Sequence, residues 1–402
     1  MESLAPGAVI NAAPARRPGV VLFALAMGSF AIGTTEFATM SLLPYFSQDL
    51  HIDPATAGHV ISAYALGVVV GAPTIAVLAA RLSRKFLLIM LMLVFGIANG
   101  LSALAPDYHW MLFFRFISGV PHGAYFGVAS LVGASIVPVE KRAQAVARIM
   151  LGLTIATVIG VPAANWMGQV IGWRAGFGLV AVLSALTMGL VWVFAPKQAR
   201  DLDAHPMREL GALKRGQVWL TLGIGAIGFG GMFAVYTYVA STLLTVTHVT
   251  AGFVPVVLCL FGLGMTVGTL FCGWAADKAQ MPAIGLCLLW SAFWLGVYPF
   301  AAHNVWAISL VVFMIGGGGG LGIMLQTRLM DVAGDAQTMA AALNHSAFNF
   351  ANALGPLLAG MVIARGAAFN ETGYVGVCLA LGGFAIWIVS LLDNRRRAGL
   401  IK

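Results

Sequence analysis

The chain is written almost entirely in long apolar runs broken by short polar clusters. Windows of about 20 residues, the length an α-helix needs to cross a bilayer, fall at 20–43, 57–79, 86–105, 110–132, 146–169, 174–195, 217–245, 252–275, 282–301, 306–327, 339–364 and 373–392. We number these spans 1 to 12. Barrel strands need only about 9–11 residues and alternate polar with apolar positions, and these runs do neither. The pattern predicts an all-α polytopic membrane protein with 12 transmembrane helices. Most polar clusters are short, but PKQARDLDAHPMRELGALKRG, residues 196–216, is long, carries both charge signs and falls at the centre. It predicts two six-helix halves, 1–195 and 217–402, joined by a cytoplasmic loop.

Composition agrees. The 402 residues are 60% hydrophobic and 9% charged, with mean hydropathy +0.92; a soluble domain carries about 25% charged residues. The net charge of +8 raises the question of nucleic acid, and its placement excludes that partner in favour of a lipid bilayer. With the N-terminus in the cytoplasm, 19 of the 22 Lys and Arg residues fall on the cytoplasmic side. Only Arg174 and Arg365 fall outside, and Arg115 lies within span 4. This is the positive-inside bias expected of twelve spans with both termini in the cytoplasm of a bacterial inner membrane. Arg16 and Arg17 precede span 1 as in a signal peptide. The apolar run is longer than the roughly 7–15 residues of a signal core, so an uncleaved helix is expected. Cys259, Cys272, Cys287 and Cys378 lie in spans and form no CxxC pair. They read as packing residues, with no metal or cofactor expected.

The halves echo each other. Gly67 matches Gly264, Gly71 matches Gly268 and Arg81 matches Lys278, all at an offset of 197. IGVPAANWMG in span 5 resembles ALGPLLAG in span 11, with Pro162 set opposite Pro356. Duplicated halves of like orientation are a recurring transporter plan.

GTTEFATMSLLPYFSQDL in span 1, RFISGVPHGAYFGVASLVGASIVP in span 4, GLTIATVIGVPAANWMGQVIGWR in span 5 and ALNHSAFNFANALGP in span 11 together resemble the major facilitator superfamily. Within it they are similar to the AraJ/YdhP-type branch of the twelve-helix drug/proton antiporters. The resemblance covers nearly the whole chain and implies the major facilitator fold. The family's loop between spans 2 and 3 reads G-x-x-x-D-R-x-G-R-R. Here it ends LAARLSRK, with Ala80 and Ser83 at the acid and glycine positions. Arg81, Arg84 and Lys85, and Asp277 and Lys278 of the second-half copy, are thereby implied in gating. So are Gly152, Gly160, Pro162 and Asn165 of the span 5 antiporter motif. That motif departs from G-P-x-x-G-G through Val161 and the pair Asn165-Trp166. Both departures suit the AraJ/YdhP-type branch and speak against a broad multidrug exporter.

Glu36 is the only acid within the spans. A charge at mid-bilayer depth costs on the order of 2.5–3.5 kcal/mol and usually serves function, here reversible protonation; a fixed structural carboxyl is the alternative. By helix rise, Glu36 lies about 7 Å and Arg115 about 9 Å outward of their span centres. In the fold that the resemblance implies, spans 1 and 4 line the cavity, so the two residues could pair. The other reading has Arg115 reaching for the outer surface. Arg115, Ser118, Gly119 and His122 share one helix face, and the imidazole could exchange a proton with Glu36. Pro121 predicts a kink beside it. In span 11, Asn344 and the stripe His345, Asn349, Asn352 and Pro356 either bind substrate or join helices. Tyr236, Tyr238 and Gln326 are further cavity candidates, although the tyrosines read first as members of an interfacial aromatic belt.

MIGGGGGLG, residues 314–322, lacks the Lys-Ser/Thr of a phosphate loop and reads as close helix packing or bending. No ATP site is seen, so transport draws on an ion gradient or is passive. An enzyme is not expected: none of the eight histidines begins HExxH, and the spans hold no second acid. A sensor or scaffold would need an appended domain. The expectation is a monomeric, proton-coupled secondary transporter that exports a small organic molecule (drug-like compound, sugar or metabolite) by alternating access. Proton symport uptake and passive facilitation are the alternatives.

Overall fold

The computed structural model describes residues 17–78, 82–138, 141–197, 214–333 and 337–399. Ten helices among the described residues are long and apolar enough to cross a membrane, and they carry eleven of the twelve predicted spans, all but span 4. Span 1 is Pro18–Ser41, span 2 Pro54–Leu78, span 3 Arg84–Ala103 and span 6 Trp173–Phe194. Span 7 is bent at Phe229 between Gly216–Gly228 and Gly230–Thr245. Span 11 is Gln337–Ile363 and span 12 Thr372–Gly399.

Span 4 crosses in two pieces, Tyr108–Gly119 and His122–Ser135, each too short to count alone. The break falls at the predicted Pro121, which has no N–H to give the preceding turn. Spans 8 and 9 lie in one helical run, Val254–Ala301, interrupted where Ala279 leaves helical geometry (φ −159°, ψ 76°). The run reverses there. Cys272 meets Gly320 while Cys287 donates to the Gly318 carbonyl at 3.7 Å, so the two limbs lie side by side against span 10. Span 10 itself runs Val305–Gly317, a tight turn Gly318–Gly320, then Leu321–Ala333.

Span 5 holds a π-turn, Ala156–Gly160, between Arg142–Ile155 and Val161–Val170. A π-turn just before Pro162 has a simple cause, the proline's missing donor. Pro162 is therefore the bend in span 5, and Asn165 then donates to the Ser41 carbonyl at 2.9 Å.

The repeat is written into the packing. Gly67 and Gly71 press on the carbonyls of Phe116 and Val120; Gly264 and Gly268 press on those of Phe313 and Gly317. Every pair differs by 197 residues. Gly119 packs on Tyr64 as Gly316 packs on Phe261. Asp107 caps span 4 through the amides of His109 and Trp110, as Asn304 caps span 10 through Trp306 and Ala307. In spans 1 and 5 the register changes. Gly152 sits on Ala26 and Phe30 as Gly355 sits on Gly230 and Ala234. The Pro162–Pro356 match is thereby corrected, because Gly152 and Gly355 are the equivalent residues and the prolines fall at different heights. The glycines of MIGGGGGLG serve the close packing of span 10 on span 8, as the sequence suggests.

Twelve crossings leave the first and last described residues, 17 and 399, on one face, which we call the terminal face; the other is the far face. Among the described residues three hydrogen bonds join the halves. Gln169 and Ser62 donate to the Ala251 and Ala353 carbonyls, both at 2.8 Å, and Asn352 donates to Glu36 at 3.2 Å. All three lie on the far-face side of the helix midpoints. Below them, the Phe126 ring stacks on His345 with centroids 5.2 Å apart.

Candidate functional site

Glu36 sits deep in span 1, and its Oε1 accepts the bond from Asn352 Nδ2 at 3.2 Å. The lone acid of the first half's spans is thus tied to span 11 of the second. Phe37, the next residue, packs edge-on to Tyr236 with centroids 5.6 Å apart and lies 6.2 Å from Phe233.

Arg115 is 0% exposed. The surface-seeking reading is overturned, because the side chain is enclosed by spans 1, 2, 3 and 6. The Glu36–Arg115 pair is corrected too: no ion pair joins them among the described residues. Arg115 Nη1 instead donates to Thr35 Oγ1 at 3.0 Å and Asn99 Oδ1 at 3.2 Å, and Thr35 donates to the same Asn99 oxygen at 2.7 Å. The guanidinium lies over the Tyr64 ring, 4.3 Å from its centroid. The bond to Thr35 places Arg115 at the depth of Glu36, as helix counting expected, but on the inner side of span 1. A guanidinium presents five donors, and two neutral acceptors and two aromatic faces occupy it here while Nε goes unpartnered.

His122 is buried at the start of the lower piece of span 4, and its Nδ1 lies 2.8 Å from the Tyr64 hydroxyl. It makes no direct bond to Glu36; Tyr64 links it to the Arg115 face. Across the interface its ring is 6.3 Å from that of His345. The span 11 stripe therefore faces the first half: His345 against Phe126, Asn352 against Glu36, and Asn349 between them, its Nδ2 on the His345 carbonyl at 3.1 Å. Asn344, though buried, lies off this stripe.

Tyr236 and Tyr238 are buried inside the protein, which overturns the belt reading. Tyr238 donates to the Pro356 carbonyl at 3.3 Å and approaches Gly58 of span 2, closing the far face. The Tyr236 hydroxyl has no partner among the described residues. Gln326, half-buried in the terminal-face piece of span 10, forms no bond to this group among the described residues.

The motif residues sit apart from this centre. Gly152 and Gly160 let span 5 approach span 1 at Ala26, Phe30 and Thr34. Lys85 donates to the Ala195 carbonyl at 2.7 Å, fastening span 3 to the end of span 6, and Arg84 opens span 3. Lys278 lies over the Trp274 ring at 4.1 Å, beside an exposed Asp277. Arg81 and Ala80 lie outside the described residues. Sequence reading missed Thr35, Tyr64 and Asn99. Asn99 had a signal, an amide in the apolar run FGIANGLSALA, whereas Tyr64 had none.

The family model described as Major Facilitator Superfamily matches residues 25–257. The inner membrane transport protein YdhP of Escherichia coli (strain K12) is 40% identical over 380 residues, covering 93% of this chain and 96% of that protein. A chloramphenicol resistance protein of Streptomyces lividans is 32% identical over 367 residues, covering 90% and 92%. The crystal structure of the nucleoside transporter NupG superposes with a TM-score of 0.70 at 14% identity, covering 92% of this chain and 99% of that one, a likeness of fold. The protein is a multi-pass membrane transporter and not an enzyme; it belongs to the Major Facilitator Superfamily, in its AraJ/YdhP-like branch.

Proposed function

We propose that the protein is a proton-coupled antiporter that exports a small organic molecule across the bacterial inner membrane, its termini in the cytoplasm. One observation carries this reading: the only acid of the predicted spans is bonded across the two halves, Asn352 to Glu36 at 3.2 Å. A hydrogen bond to a carboxylate is roughly twice as strong as one to a neutral acid. Losing the proton therefore strengthens the cross-half bond and leaves a buried charge that a donor-bearing substrate can satisfy. Gaining the proton removes the charge and loosens Asn352. Proton and substrate thus compete for one carboxylate, which is the requirement of antiport. The bonds that join the halves lie toward the far face, which supports a site reached from the terminal face. Arg115 holds Thr35, and with it the neighbouring Glu36, in register, while Tyr64 connects that layer to His122. The positive-inside bias supports a cytoplasmic terminal face, and the YdhP name supports the inner membrane.

The test uses everted membrane vesicles acidified inside, with a fluorescent pH indicator and chloramphenicol or phenyl β-D-glucoside as the added compound. Antiport predicts that addition dissipates the gradient in the wild type and that Glu36→Gln abolishes this while the protein still folds. A gradient left intact by compounds that are nevertheless transported would favour symport uptake or facilitation instead.

A further inference from the structure

The repeat relates the surroundings of Arg115 to a second place in the molecule. At the register of the glycine contacts, Thr35, Tyr64, Arg115 and Ser118 correspond to Val239, Phe261, Val312 and Ile315. Those four, with Val235 and Tyr236, pack into an apolar cage too tight to admit a water. Where one half keeps a cation, the other keeps an apolar cage. The cage adjoins the central interface. Tyr236 and Phe261 have ring centroids 4.0 Å apart, and Phe37 reaches across from the first half to touch both. An aromatic wall therefore stands beside Glu36.

The polar groups near this wall are short of donors. Asn349 and Asn352 are buried, and each spends its amide nitrogen, on the His345 carbonyl and on Glu36. The amide orientations are fixed by those bonds, and both Oδ1 atoms are left unpartnered, as is the Tyr236 hydroxyl. Buried acceptors without donors are costly, so the site favours a ligand that brings donors. Charge narrows the class further. Arg115 and Glu36 share one layer and balance, so a neutral ligand preserves that balance, whereas an organic cation leaves a net positive charge in a low-dielectric interior.

We infer that the substrate is a neutral amphiphile. Its aromatic or other apolar body lies against Phe37, Phe233, Tyr236 and Phe261, and its hydroxyl or amide donors meet Asn349, Asn352 and Glu36. This rests on the transport reading above.

Calorimetric binding to the purified full chain in detergent, at fixed pH and without a gradient, tests the ligand class separately from coupling. The probes are chloramphenicol and phenyl β-D-glucoside (neutral, aromatic, hydroxylated), glucose (donors without an apolar body) and tetraphenylphosphonium (an aromatic cation without donors). Both neutral aromatic probes should bind at least about tenfold tighter than the other two, the scale of one good hydrogen bond. Asn349→Ala should weaken them about tenfold. Phe37→Ala, which removes one ring of the wall, should weaken them further, with melting curves confirming the fold; Tyr236→Phe keeps the ring and should lose affinity for hydroxylated probes only. Glucose or tetraphenylphosphonium binding as tightly, or no binding of either neutral aromatic probe, overturns the inference. Binding of the expected class with no proton displacement would leave the inference standing and overturn antiport.

Discussion

At the scale of single residues, two buried charges carry the account, and their stability effects should differ from those of core residues. Arg115 lies enclosed without an ion pair, its Nε unpartnered, among two neutral acceptors and two aromatic rings. Desolvating a charge costs more than such contacts return, and apolar replacements of buried charges are often neutral or stabilising. Arg115→Met should therefore melt within about 1 kcal/mol of the wild type, or above it, while transport is lost. A strongly destabilised Arg115→Met would mark the arginine as structural. Asp49 at the far face gives a titration to check. Its ion pair with Arg174, and then its bond from Trp173 at 2.9 Å, hold its carboxyl below the usual aspartate range. A depressed carboxyl contributes stability above its unfolded pKa and loses it as pH falls through the folded value. Asp49→Asn should thus lower the melting temperature at neutral pH, and the difference from wild type should close in acid. A pH-independent difference would contradict the assignment.

At the scale of elements, glycine spacing sets how closely helices approach. A Cβ on Gly268 would meet Gly317 backbone carbons at 2.6 Å, whereas one on Gly178 meets nothing within 4 Å. Gly268→Ala should cost about 1–3 kcal/mol by overpacking, while Gly178→Ala should gain about 0.5–1 kcal/mol through lost unfolded-state freedom. Thermal unfolding of the two variants reads the contrast directly. Hydrophobic length made the spans legible in the sequence, and Pro121 announced the break in span 4, because both are properties of one helix. The register of span 5 against span 11 was not legible: matching Pro162 to Pro356 follows local composition, whereas the equivalence of Gly152 and Gly355 depends on which partner backbone each touches. The site divides the same way. Glu36 and the span 11 stripe stood out as polar residues in apolar runs. Whether Arg115 faced Glu36, Thr35 or solvent depended on rotation of spans 1 and 4 about their own axes, which no single-helix pattern fixes. The burial of Tyr238 under spans 2 and 11, and of Tyr236 against spans 1 and 8, depended likewise on neighbouring helices.

At the scale of the whole molecule, two halves of one architecture have diverged in chemistry: a charged, hydrogen-bonded layer in the first and an apolar cage at the equivalent place in the second. Orientation is checked by single cysteines on a background with the four natural ones replaced. One at Arg365 should react with an impermeant maleimide in intact cells and one at Lys214 should not; the reverse would invert the topology. The central claim, that one carboxylate serves proton and substrate in turn, is tested most directly by proton release. Chloramphenicol or phenyl β-D-glucoside is added to the purified protein in weakly buffered detergent and the pH is followed, for wild type and Glu36→Gln. The account predicts release from the wild type that saturates with binding and is lost in Glu36→Gln. Binding without release in the wild type, or undiminished release from Glu36→Gln, would contradict it.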